Sequence, residues 1–147
     1  MMMPAASVML VSHDKNWWEP NFHRHIHLIY LAARDAIRRL KSAGCTHPCL
    51  VLSPTLKKGE AYERATEVAL LGALFGCYSP LMNREFSGEK VAEPIEEIAF
   101  IPLEGTRDND IIINEVLAME SGRRAARDLC GMASEEYAFS TKRDRNA

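Results

Sequence analysis

The chain has 147 residues, of which 18 are basic and 20 acidic, and its formal net charge is −2. This length fits one domain, large enough to bury a hydrophobic core. The near-neutral charge gives no electrostatic reason to expect binding to nucleic acid or to an anionic membrane. The longest apolar run, residues 68–78, is shorter than the roughly 20 residues that a membrane span needs.

Cysteine usage and the N-terminus indicate the compartment. The four cysteines are too few for a disulfide scaffold. The first residues lack the basic and long apolar regions of a secretory signal. We therefore expect reduced thiols and a cytoplasmic location.

The first part of the sequence alternates between strand and helix patterns. Residues 7–11 form a short apolar run, which predicts a buried strand, and residues 13–21 are expected to form a loop. Apolar residues then recur at helical spacing through residues 22–40. This pattern predicts an amphipathic helix that ends at Gly44.

The second part repeats the alternation. Residues 49–53 predict a strand, and residues 61–77 predict a helix. Residues 83–94 are charged and without a clear period, so a loop is expected there. Residues 98–103 predict a third strand, whose proline favours a position near a strand end or on a sheet edge. A closing helix is predicted from about Asp110.

Each of the last two predicted helices has an expected buried face. In the helix over residues 61–77 this face comprises Ala65, Val68, Ala69, Gly72 and Phe75. Small residues one turn apart, such as Gly72 and Gly76, would let that helix lie close to the sheet. In the closing helix the expected buried stripe comprises Ile112, Val116, Met119, Ala126 and Leu129. Three arginines are placed beside or opposite this stripe (Arg123, Arg124 and Arg127), and Gly122 is expected to pack closely against another element.

The order strand, helix, strand, helix, strand, helix predicts an α/β domain. We expect three layers, with a mostly parallel sheet flanked by helices. Residues 1–131 are predicted to form this domain, and residues 132–147 a polar, disordered tail.

Several ordered features resemble the N-terminal domain of M17 leucyl aminopeptidases. One helix ends in Ala43-Gly44-Cys45, and the next ends in Gly72-Ala-Leu-Phe-Gly76-Cys-Tyr78. The closing helix carries Arg124-Ala-Ala-Arg-Asp-Leu129, which is similar to the segment that enters the catalytic domain of that family. The resemblance extends from about Ser7 to Asp128. It implies a fold of the macro-domain type that lacks its first strand–helix unit.

The resemblance also implies what this chain does not contain. The catalytic domain of the family binds two divalent metals, Zn or Mn, and carries an Asn-Thr-Asp-Ala-Glu-Gly-Arg motif and a catalytic lysine. No position of this sequence matches them, so we expect no catalytic residue and no cofactor in this chain.

Three functions follow from the resemblance as hypotheses. The first is a non-catalytic interaction or assembly module, because in the family this domain decorates a hexamer of catalytic domains. An alternative is that the chain is a fragment or truncated product of an active metalloaminopeptidase, which removes N-terminal amino acids from peptides. A second alternative is a macro-like binder of small molecules or nucleic acid.

Loss of the first strand–helix unit predicts an uncovered sheet edge near the N-terminus. Uncovered edges pair with other chains, and tryptophan is enriched at interface hot spots. We therefore expect self-association or a protein partner, with the contact at or near Val8, Val11, Trp17 and Trp18.

Two clusters could hold a metal. His23 and His27 stand one helical turn apart, but the sequence indicates no third or fourth ligand, and a polar helix face is the alternative. Cys45 and Cys49 flank His47 without a second pair at zinc-finger spacing. Core cysteines are the alternative there.

Overall fold

The computed structural model describes residues 7–10, 22–52, 64–102 and 107–143, and it describes side chains within residues 26–52, 64–102 and 107–131. The elements alternate as the sequence predicts for the strands and long helices. In order they are β1 (Ser7–Leu10), α1 (Phe22–Ser42), β2 (Cys49–Leu52), α2 (Ala65–Cys77), α3 (Leu81–Ser87), α4 (Glu89–Ala92), β3 (Ala99–Ile101) and α5 (Asn109–Arg143).

The three strands form one parallel sheet in the order β1-β2-β3. Cys49 is aligned with Ser7 on one side and with Ala99 on the other. The prediction of an α/β fold with a parallel sheet is confirmed. Among the described strands β3 lies at an edge, and Pro102 directly follows its last residue, in agreement with the predicted place near a strand end or on a sheet edge.

The described hydrophobic core lies on one face of this sheet. Leu50 and Leu52 of β2 belong to it, together with residues from α1, α2 and α5, and Phe100 of β3 packs against it. Side chains alternate along a strand, so Ala99 and Ile101 face the other way, and both are exposed. Within the described residues the helices therefore cover one sheet face, whereas the sequence predicted helices on both.

Helix α1 ends as the sequence predicts. Gly44 has a φ of +77°, a conformation that glycine adopts without strain. The amide of Cys45 donates to the carbonyl of Leu40 at 3.0 Å, and the amide of Gly44 donates to Lys41 at 3.1 Å. This pair of bonds is a Schellman motif, which satisfies two carbonyls that the helix end would otherwise leave unpaired.

The small residues of α2 allow a close approach, but to α1 rather than to the sheet. A Cβ added at Gly72 would lie 2.3 Å from the carbonyl oxygen of Tyr30. At Gly76 it would lie 2.7 Å from the carbonyl oxygen of Arg34. Residues on more than one side of α2 are buried, including Thr66, Glu67, Leu70 and Ala73 beyond the predicted face. Val68 and Phe75 are only partly buried.

The prediction of a loop over residues 83–94 is wrong. Two short helices, α3 and α4, occupy most of that segment and are separated by Gly88, whose φ is +82°. Neither helix contains a buried residue. Because nothing in them faces a core, their sequence carries no apolar period to indicate a helix.

The buried face of α5 differs from its predicted stripe. Ile112 and Val116 are buried, but Met119, Ala126 and Leu129 are exposed. From Val116 the buried face continues to Glu120 instead, because α5 packs on charged and aromatic groups beyond its second turn. A Cβ at Gly122 would meet nothing within 4 Å, so the expected close packing there is absent.

Two further findings concern the helices. The backbone of α5 is helical to Arg143, where the sequence predicted a disordered tail from residue 132. No single helix in the described ranges is long and apolar enough to cross a membrane. Taken together, α2 and α3 meet the length and composition of a span with a 47° bend, although most of α2 is buried in the core.

Candidate functional site

A cleft of about 400 Å³ lies between α2, the segment before β3, β3 itself and α5, and we call it the α2–α5 cleft. Its apolar wall comes from all four elements. The apolar lining comprises Leu70, Leu74, Cys77, Ile95, Ile98, Phe100, Ile113, Val116 and Leu117. A concave apolar surface of this size with a few polar groups is the usual form of a ligand site.

Four carboxylates and one guanidinium complete the described lining: Glu93, Glu96, Glu97, Glu120 and Arg124. Glu93 is fixed in place, since its carboxylate accepts hydrogen bonds from the amide of Ser79 at 2.8 Å and from Arg124 at 2.7 Å. Glu96 and Glu97 are exposed. The cleft therefore carries more negative than positive charge.

Glu120 is the carboxylate that α5 buries against this cleft, with 9 % of its surface exposed. One oxygen, Oε1, accepts a hydrogen bond from Arg127. The other oxygen, Oε2, is buried without a hydrogen-bond partner, and Arg123 lies 3.8 Å from it. A buried carboxylate oxygen without a donor is costly, because it has lost its hydration.

Arginines of α5 pack on the aromatic rings of α2 and its C-terminus. The guanidinium of Arg127 lies 4.8 Å from the ring centre of Phe75 and 4.4 Å from that of Tyr78. Arg123 lies over Tyr30 of α1 at 5.4 Å and donates a hydrogen bond of 2.8 Å to its hydroxyl. Such cation–π contacts stabilise the packing of α5 through charged groups. The sequence analysis predicted that these arginines lie beside or opposite the buried stripe of the helix.

Tyr78 and Asp128 join the end of α2 to α5. The Tyr78 hydroxyl donates to Asp128 at 2.8 Å, and Arg84 of α3 donates to the same carboxylate oxygen at 2.5 Å. The Arg84 hydrogen bond lowers the pKa of Asp128, while burial and the bond to Asp128 raise the pKa of Tyr78. Lys41 of α1 reaches the Ser79 hydroxyl next to this group at 2.8 Å.

A second ion cluster anchors the start of α5. Arg107 donates two hydrogen bonds of 2.8 Å to the carboxylate of Glu115 and one of 2.9 Å to Glu67 of α2. These bonds raise the pKa of Arg107 and lower that of Glu115, with Glu115 the main partner. Because Glu67 is nearly fully buried, this cluster stabilises the junction of α2 and α5 and does not open onto the cleft.

Among the predicted metal ligands, the structure describes the side chains of His27, Cys45, His47 and Cys49. His27 is exposed and its ring stacks near that of Tyr30 at 6.2 Å, while the side chain of His23 lies outside the described residues. His47 has Thr46 Oγ1 2.8 Å from Nδ1 and Glu96 3.7 Å from Nε2. No group of three or more potential ligands occurs among the described side chains.

The predicted interface residues lie mostly beyond the described ranges. Val8 belongs to β1, which is a sheet edge, and is aligned with Leu50, but its side chain lies outside the described residues. Val11, Trp17 and Trp18 lie outside them altogether. These four residues stay predictions.

Sequence reasoning missed the charged part of the cleft, Glu93, Glu120 and Arg124. A signal was available for two of them. Glu120 and Arg124 follow Ile112 and Val116 at intervals of four residues, so they lie on the same side of the helix. The predicted stripe included only apolar residues and therefore continued to Met119 instead.

Comparisons with protein-family models, with curated proteins and with solved structures give no match for this chain, so the M17 resemblance stays a prediction.

Proposed function

We propose that this chain is a non-catalytic assembly domain of the M17 N-terminal type, and that two copies associate through the β3 edge of the sheet. The observation that carries the proposal is Ile101, which is 55 % exposed on an edge strand of a parallel sheet. Strands of parallel sheets are normally covered on both faces, so an exposed isoleucine there favours a partner surface.

The backbone of β3 supports pairing at the same edge. The amide of Ala99 donates to the carbonyl of Pro48 at 3.0 Å, toward the β2 side. Successive peptide groups of a strand point to opposite sides, so the amide and carbonyl of Phe100 point away from β2. An edge of this kind is a template for a strand from another chain.

A second copy of the chain is the proposed partner. The formal net charge of −2 gives little repulsion between two copies. Within the described residues the sheet has three strands, which is at the small end of the usual range, and pairing of two such edges would extend it.

Sedimentation tests the assembly. The wild-type chain at tens of micromolar should sediment as a dimer or larger species, and Ile101→Lys should be monomeric, because a charged edge blocks pairing. Leu129→Lys is the matched control: Leu129 is 66 % exposed on α5, and the change adds the same charge away from the sheet. A monomeric wild type, or equal disruption by both variants, would refute the proposal.

Absence of catalysis is the second half of the proposal. Peptide hydrolysis in the resembled family needs two metals that polarise the carbonyl and activate water. The purified chain should therefore not hydrolyse leucine amide with added Mn²⁺ or Zn²⁺. Turnover that co-elutes with the chain would favour the alternative, an active aminopeptidase.

The cytoplasm is the proposed compartment, since all four cysteines are free.

A further inference from the structure

We propose that the α2–α5 cleft receives apolar side chains of a second copy of the chain when two β3 edges pair. This inference rests on the proposed assembly at β3 and extends its interface from the strand to the helix layer. The length of β3, the residues that border both its edge and the cleft, and the exposure of Leu117 carry it.

The β3 edge alone is too short for a stable dimer. The strand has three residues, so its edge is about 10 Å long. Specific protein interfaces bury about 800 Å² on each partner. Two copies that pair at this edge therefore need further contact surface beside the strand, and exposed apolar side chains are the surface most favourable to bury.

The cleft borders the free edge of β3. The Phe100 side chain lines the cleft, whereas its amide and carbonyl point away from β2 and form the edge. On α5, Ile113 and Leu117 line the same space, and they are 37 % and 54 % exposed. A strand that pairs with β3 on this side therefore comes next to large apolar side chains that the described core leaves open.

Strand geometry determines which side chains the second copy presents. In an antiparallel pair two facing residues exchange both N–H···O bonds, which is the symmetric contact that a two-fold axis requires. Only alternate residues have outward peptide groups, and Pro102 has no amide hydrogen to exchange, so Phe100 faces Ile98 or Phe100 of the second copy. Both alternate onto the helix face, about 5.5 Å from Phe100 between Cα atoms. In either register a large apolar side chain of the second copy stands at the cleft.

The charges of the cleft do not oppose this contact. Glu93 is paired with Arg124 at 2.7 Å, and Glu120 is paired with Arg127. The two other carboxylates, at residues 96–97, are exposed, so water and salt screen the repulsion between two copies. Burial of the apolar lining is therefore the main contribution of the cleft to association.

Sedimentation of two aspartate variants tests the inference. Leu117→Asp places a short charged side chain in the cleft and should raise the Kd of the dimer about tenfold or more, because that charge would lose water against apolar groups of the second copy. Met119→Asp adds the same charge to α5 on a residue that is 42 % exposed and outside the cleft lining, so Kd should not change. Both replaced side chains are exposed, and circular dichroism checks that both variants fold.

Nuclear Overhauser effects between two copies give a second measurement that does not depend on substitution. In a dimer of one methyl-labelled and one unlabelled copy, the methyl groups of Leu117 should show contacts to Ile98 or Phe100 of the other copy. Met119 should show none.

The outcomes separate this inference from the assembly on which it rests. A dimeric wild type with equal Kd for both aspartate variants, or without contacts from Leu117 to the other copy, would overturn the inference and leave the assembly at β3 intact. A small apolar compound that fills the cleft without changing Kd would also overturn it. A monomeric wild type would refute the assembly and this inference together.

Discussion

Replacement of Gly72 by alanine tests the close approach of α1 and α2. A Cβ at this position would lie 2.3 Å from the Tyr30 carbonyl oxygen, 3.0 Å from its carbonyl carbon and 3.1 Å from its Cα. Ordinary van der Waals contact starts at 3.4 Å, so one helix must move by about 1 Å. All three atoms belong to the backbone, so no side-chain rotation can relieve the overlap.

The expected size of the effect combines two opposing contributions. Extra atoms in a packed core cost about 1–3 kcal/mol, and the large overlap at Gly72 places this case at the upper end. Alanine in a helix gains about 0.5–1 kcal/mol over glycine. We therefore expect the free energy of unfolding to fall by about 2 kcal/mol. In a chain of this length Tm would then fall by about 4–8 °C.

Urea and thermal denaturation followed by circular dichroism measure this change, with Gly122→Ala as the control. Gly122 lies in α5 with nothing within 4 Å of its added Cβ and without a positive φ, so alanine there should stabilise the chain by about 0.5–1 kcal/mol. The two substitutions are chemically identical and should act in opposite directions. A neutral or stabilising Gly72→Ala would show that α1 and α2 are not packed as described.

Three further predictions concern titration, thiol reactivity and metal. Asp128→Asn should lower stability at pH 7 and lower it less at pH 3, because Arg84 lowers the pKa of Asp128 in the folded state. That contribution is present above the ordinary carboxyl pKa and is lost as the pH falls through the folded value, so equal losses at both pH values by urea denaturation would contradict it. Burial raises the pKa of Cys77 to about 11, so at pH 8 an aromatic disulfide reagent should modify exposed Cys130 first, and Cys77 should react as fast only in urea. Saturating Zn²⁺ should leave Tm unchanged, since a real site at a hundredfold excess over Kd would add about 2.7 kcal/mol; a rise that His27→Ala abolishes would contradict this expectation.

The features predicted correctly are those that the chain encodes over short distances. The apolar period of α1 and the glycine at position 44 define that helix and its end, because a left-handed residue is needed where the Schellman bonds form. The short apolar run of β2 and the order of strands and helices were enough to predict a parallel sheet. Pro102 predicted a place near a strand end or on a sheet edge, because proline cannot donate to a neighbouring strand, and it directly follows the last residue of β3.

The same local signals failed where burial does not follow hydrophobicity. Helices α3 and α4 bury no residue, so their sequence has no apolar period. In α5 the apolar residues Met119 and Leu129 are exposed, whereas Glu120 is buried with Arg127 as its partner. Paired charges and ring contacts can fill a buried face, and a hydrophobic pattern does not detect them.

The sequence by itself determined the order of the strands and long helices, the parallel sheet, the end of α1 and the presence of small residues in α2. Only the tertiary structure decided that those small residues contact α1. A glycine in a helix indicates that another group approaches closely, but it does not identify that group. The α2–α5 cleft is also a tertiary feature. Glu93 and Glu120 are 27 positions apart in the chain, and they line one space only because α5 packs across α2 and the segment before β3.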